Sequence, residues 1–103
     1  SFFVLATKPV SAPKLTLDKP AAQRGQLVKG SLYVPGAEGL HAFRIRARCG
    51  DRDLDWLHQN LIVGPEPVRL DIPIAYNDPV GQYEITAIDL FTDAVTKTNL
   101  TVQ

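Results

Sequence analysis

Cysteine is nearly absent: Cys49 is the only one among 103 residues, so no intrachain disulfide can form. A structural zinc site takes about four closely placed Cys or His ligands, and no such spacing occurs, so no metal or other cofactor is called for. The fold must therefore stand on its core. Net charge is also missing. The 11 basic side chains are matched by 11 acidic ones, and a balanced chain supplies no field that would gather nucleic acid or an anionic membrane. No apolar run approaches the ~18–20 residues needed to cross a bilayer, so membrane insertion is not expected either. Helical periodicity is lacking throughout. The opening segment, Ser1 to Pro9, has no methionine, no basic region and no apolar stretch long enough for a signal peptide. It reads as the start of a segment cut from a longer protein. What remains, with 45% hydrophobic and 21% charged residues, has the composition of a soluble globular chain. At this length, residues 1–103 are expected to make one domain.

Eight apolar stretches, separated by Pro, Gly and Asp at intervals of about 8–12 residues, predict an all-β protein. Phe2 to Ala6 and Leu15 to Asp18 read as an edge strand interrupted by Pro9 and Pro13, so residues 1–21 supply edge and connector. From Gln26 to Val34 the residues alternate, with Val28, Gly30, Leu32 and Val34 expected inside. After the Pro35 to Gly39 turn the alternation is clearest: His41, Phe43, Ile45, Ala47 and Cys49 on one face, Ala42, Arg44, Arg46 and Arg48 on the other. Leu54 to Val63 reads as a strand placing Leu57, Leu61 and Val63 opposite Trp56, His58 and Asn60, with the inward face undecided. Val68, Leu70, Ile72 and Ile74 form an apolar row turned away from Arg69, Asp71 and Pro73. Gln82 to Leu90 and Val95 to Val102 predict a closing hairpin across Phe91 to Ala94.

The run from Ile72 through Asn77-Asp78-Pro79-Val80-Gly81 to Asp89 has the grammar of strand, turn and strand, with Tyr83 entering the second strand. Within it, Gly81-x-Tyr83-x-Ile85, followed by Asp89 and a Thr/Asp hairpin, resembles the penultimate strand of macroglobulin-type and related immunoglobulin-like modules of large bacterial secreted proteins, and the run as a whole has the form of an immunoglobulin-like sandwich. Together with Arg24-Gly25 and Asn60, it is similar to the sandwich modules appended to bacterial glycoside hydrolases and surface proteins. The resemblance, over residues 22–103, implies an immunoglobulin-like antiparallel β-sandwich of seven to eight strands, in which Tyr83 would pin the preceding turn through its hydroxyl. The pattern departs from true immunoglobulin domains in two places. Asp78 lies three residues before Gly81 rather than two, and Ile85 occupies the place of the cysteine. The resemblance transfers no catalytic residue.

Four groups of side chains invite a chemical reading. Cys49 and His41 lie eight residues apart on one strand, ~26 Å at ~3.3 Å per residue, too far for a nucleophile and its base. Cys49 with His58 is the remaining pairing, against an inert thiol at a strand end. Arg44, Arg46 and Arg48 form an outward stripe suited to an oxyanion, since guanidinium matches planar oxyanions. Glu84, Asp53 and Asp55 are the expected neutralising partners. Asp51, Asp53 and Asp55 begin like a calcium loop, but Trp56 replaces its turn glycine and Ile62 its closing glutamate. Trp56, His58 and Asn60, with Tyr33 nearby, would stack on a sugar ring and bond its hydroxyls if they faced outward together. The sole tryptophan of a small sandwich usually packs inside, and core packing with Ile62 is the expectation for Trp56.

The sequence thus predicts a non-enzymatic structural or interaction module that positions neighbouring domains in a larger secreted, surface or periplasmic bacterial protein. Its partners would be those adjoining domains. The alternative is a carbohydrate-binding module that takes a glycan at Trp56 and its neighbours.

Overall fold

The structure is a computed structural model that describes residues 12–36 and 39–103. The expected strand at Phe2 to Ala6 and two residues of the 35–39 turn lie outside the described residues. Nine strands follow in order: β1 Lys14–Leu17, β2 Ala21–Ala22, β3 Leu27–Tyr33, β4 His41–Cys49, β5 Arg52–Asp53, β6 Gln59–Val63, β7 Val68–Pro73, β8 Gly81–Asp89 and β9 Val95–Val102. Seven have four or more residues; β2 and β5 are two-residue rungs that the alternation did not reveal. One sheet has the order β1-β3-β7, and the other β2-β9-β8-β4-β5 with β6 also paired to β4. Every pairing is antiparallel except that of β2 along β9. This is the expected immunoglobulin-like sandwich.

Proline placement directs the chain between the sheets. The Asp18 amide makes the last rung onto the Lys29 carbonyl at 2.8 Å, and after Pro20, whose carbonyl accepts the Thr101 amide at 3.0 Å, β2 joins the other sheet. A residue without an N–H cannot continue the first ladder, so the break falls there. Pro73 is tolerated in β7 because, among the described residues, that strand is an edge paired to β3 alone. On the open side, Gln59 donates its amide Nε2 to the Asp71 carbonyl at 3.0 Å, joining β6 to β7 across the edge of the sandwich.

Period-two rows fill the interior. Val28 and Leu32 from β3, with Val34 just beyond it, face Phe43, Ile45 and Ala47 from β4, and each is at most 1% exposed. Leu70 and Ile72 of β7 and the adjoining Ile74 are buried with Tyr83, Ile85 and Ala87 of β8. Burying one such side chain contributes about 1.5–3 kcal/mol, so this row dominates the stabilisation. The half-buried Thr96, Thr98 and Thr101 of β9 match a terminal strand at the rim of the core.

Tyr83 is buried completely, and its hydroxyl donates to the Pro79 carbonyl at 2.6 Å. Asp78, also buried, accepts the Ala75 amide on Oδ2 at 2.8 Å while its own amide donates to the Ala75 carbonyl at 3.1 Å. The turn is therefore held from both ends despite its departure from the immunoglobulin pattern. Gly81 then enters β8 at φ 134°, a conformation side chains resist. Burial and the nearby Asp78 carboxylate push the Tyr83 hydroxyl up to about 12.

Candidate functional site

The outer face of the larger sheet carries most of the residues singled out by sequence. Cross-strand register puts Arg44 between Asn60 and Ile88, Arg46 beside Thr86, and Arg48 beside Glu84. Opposed residues in an antiparallel ladder share a face, so these side chains form rows across the sheet. Arg48 is neutralised as expected, with its Nε 3.7 Å from Asp53 Oδ1 and Glu84 opposite it. Glu84 also approaches Lys97 at 3.9 Å. Asp55 does not join the stripe; its carboxylate lies 3.9 Å from His58 Nδ1. Among the described residues neither Arg44 nor Arg46 has an ion-pair partner. The structural explanation of the stripe thus covers Arg48 and stops there.

The segment before β6 is not a strand. Asp55–Leu57 forms a single 3-10 turn, closed by the Leu57 amide on the Leu54 carbonyl at 2.9 Å and the His58 amide on the Asp55 carbonyl at 3.1 Å. Side chains three apart eclipse in a 3-10 turn, so Leu54 and Leu57 both enter the core and Trp56 is turned outward. Core packing of Trp56 is thereby overturned: its side chain is 52% exposed, with the Arg52 guanidinium 5.7 Å from its ring centre. Ile62, its expected companion inside, is 60% exposed on the same outer face as Ala42.

His58 and Asn60 meet the arginine stripe. Together with Gln59 they line, with Arg44 and Arg46, a groove of about 300 Å³. His58 Nε2 is enclosed and is the one buried side-chain polar atom without a hydrogen-bond partner among the described residues. Tyr33 does not join this group. It lies in the other sheet, and the Val34 amide bonds the Gly64 carbonyl at 3.0 Å, so Tyr33 stands at the far end of β6 from Trp56. A five-residue strand separates them by ~17 Å.

The remaining clusters serve the framework. His41 Nδ1 is 2.7 Å from Oδ2 of the buried Asp89, whose Oδ1 accepts the Phe91 and Thr92 amides at 2.9 and 3.3 Å. Burial raises the Asp89 carboxyl, but hydrogen bonds from Phe91, Thr92 and His41 outweigh it and hold the group below its ordinary range. The pair clamps the β8–β9 hairpin, a role the sequence did not disclose. The Cys49 thiol donates to the Val80 carbonyl at 3.8 Å beside Tyr83 on the inward row, whereas His58 lines the outer groove. The structure does not bring them together. Among the described residues no three His, Cys, Asp or Glu side chains converge as a metal site requires. A wider cleft of about 380 Å³ lies on the smaller sheet, but its polar groups satisfy one another. Thr16 and Ser31 share a 2.9 Å hydrogen bond, Asp18 takes the Lys29 amide, and Arg69 pairs with Asp71 at 3.1 Å.

At one end of the larger sheet the outer face becomes apolar. Leu90 donates its amide to the Ala42 carbonyl, Ala42 stands beside Ile62, and Ile88 beside Val95. Phe91, in the turn after β8, lies with its ring centre 6.0 Å from that of His41, a residue of the opposite, inward row of β4, and so stands apart from this face. Ile62, Leu90 and Val95 are 45–60% exposed.

The fold is similar to that of Spo0M, a sporulation control protein from Bacillus subtilis, with a TM-score of 0.52 at 11% identity over 93% of this chain. The match covers 50% of Spo0M, so this chain spans half the length of that protein. It is also similar to the CARDB domain of a Pyrococcus furiosus protein, solved in complex with di-metal ions. That match has a TM-score of 0.50 and 14% identity, and covers 100% of this chain and 99% of the other. At such identities the likeness is one of fold. No family model matches the sequence, and no curated protein matches it.

Proposed function

We propose that this chain is a non-catalytic immunoglobulin-like module that positions neighbouring domains in a larger secreted or cell-surface bacterial protein. The apolar patch of Ile62, Leu90 and Val95 is the observation that carries this reading. Three large apolar side chains grouped on a rigid sheet end are costly to leave in water, and such patches are where one protein surface meets another. The occupant is an adjoining domain of the same polypeptide. In Spo0M a comparable sandwich takes up half of a longer chain, which is the setting this reading requires. The similarity of the Gly81 to Asp89 segment to macroglobulin-type modules points the same way.

The test is a charge placed in the patch of the parent protein, as Ile62→Lys with Val95→Ser. Both positions are exposed, so the module should keep its melting temperature. Its contact with the neighbour should loosen, increasing the radius of gyration in X-ray scattering. An unchanged radius would refute the docking role.

Carbohydrate recognition is the second reading, favoured by the exposed indole of Trp56. An outward tryptophan gives a sugar ring a flat apolar face. Its emission should be red-shifted, quenched by iodide, and altered by a bound polysaccharide. Emission that responds to no glycan would dismiss this reading.

A further inference from the structure

We propose that the groove between Arg44, Arg46, His58, Gln59 and Asn60 binds the anionic group of an acidic polysaccharide, a proposal that rests on the carbohydrate reading of Trp56. Arg44 and Arg46 occupy successive outward positions of β4, about 6.6 Å apart along the strand, close enough for two guanidinium groups to close on one oxyanion. Their like charges sit together with no carboxylate in ion-pair reach among the described residues, whereas Arg48 and Arg69 have Asp53 and Asp71. A bound anion would relieve that repulsion. Lys97, across Thr86 from Arg46, is already paired with Glu84 at 3.9 Å, so the unpaired charge is that of the two arginines.

The rest of the lining suits a glycan. Asn60, opposite Arg44, carries an amide able to donate to and accept from hydroxyls, and His58 has an enclosed nitrogen still without a partner. Trp56, two residues before His58, is exposed and can stack on a neighbouring sugar ring. The size of about 300 Å³ is at the lower end of ligand sites, enough for one sugar unit of a longer chain. A nucleic acid is a poorer fit, because a chain with 11 basic and 11 acidic residues offers no extended field for a phosphate backbone.

Titration calorimetry of this chain with polygalacturonate, heparin and neutral dextran tests the proposal. Binding to at least one acidic glycan is expected, and which one separates a carboxylate ligand from a sulfate. Arg44→Gln with Arg46→Gln should weaken it roughly tenfold or more, the scale set by a lost charge-assisted hydrogen bond. Arg69→Gln, which removes an arginine on the other sheet, should leave it unchanged. Both stripe arginines are exposed, and circular dichroism would verify that the variant is folded. Equal affinity in the double variant, or tighter binding of duplex DNA than of either acidic glycan, would overturn the assignment. Dextran binding abolished by Trp56→Ala, with no acidic glycan bound, would keep the carbohydrate reading and refute the groove. Binding to none of the three would refute both.

Discussion

Replacing Tyr83 by phenylalanine removes one oxygen atom from a fully buried position. That oxygen donates a 2.6 Å hydrogen bond to the Pro79 carbonyl, the link that fixes the turn before β8. A typical intramolecular hydrogen bond contributes about 0.5–1.5 kcal/mol net, and an acceptor left unpaired inside the protein raises the cost to about 1–3 kcal/mol. For a domain of this size each kcal/mol shifts the melting temperature by about 4–8 °C, well within reach of thermal unfolding followed by circular dichroism. Alkaline pH supplies an independent signature. Burial first, and then the Asp78 carboxylate, push the Tyr83 hydroxyl from its ordinary 10.0 up to about 12, so the folded state holds the proton more tightly than the unfolded chain. A raised value means that this contribution to stability is fully present below pH 10 and is lost as pH rises toward 12. Urea midpoints of the parent protein and Tyr83→Phe should therefore differ at pH 8 and converge between pH 10 and pH 12. A variant as stable as its parent at pH 8, or a gap unchanged to pH 12, would refute the pinned turn.

Ile72→Ala empties a position only 2% exposed and should lower stability by about 2–5 kcal/mol in urea unfolding. Asp89 acts at the acid end: because its carboxyl is held below the ordinary 3.8, its stabilisation is present above that value and is lost as pH falls through the folded one. Asp89→Asn should flatten the acid limb of a stability–pH curve, and an identical limb would contradict the clamp on the hairpin. Gly30→Ala should destabilise by about 1–3 kcal/mol in thermal melts, since the added carbon would meet the Thr16 carbonyl oxygen of β1 at 2.6 Å and force the strands apart.

The rows of the core were legible because side-chain direction in a strand is a local property that alternates with every residue. Phe43, Ile45, Leu70, Ile72 and Ile74, placed on apolar rows by alternation, are all buried to within 2%. Trp56 escaped that logic. The sequence around it was read with a period of two, whereas Leu54 and Leu57 stand three apart, the spacing of a 3-10 turn, and that apolar pair was the available signal. The short strands β2 and β5 left no periodic trace, because two residues are too few to alternate.

The candidate site divides in the same way. That Arg44 and Arg46 share one face follows from their positions in β4, and the sequence alone determined it, as it determined the sandwich and its interior rows. That Asn60 stands opposite Arg44, that His58 and Gln59 close the groove, and that Asp53 and Glu84 neutralise Arg48 rather than its neighbours were decided only by tertiary structure. These relations depend on register, which the loop from Gly50 to His58 sets, and a slip of one residue in β6 would turn every side chain to the opposite face. Alternation fixes which way a side chain points; only the pairing of strands distant in sequence determines what it meets.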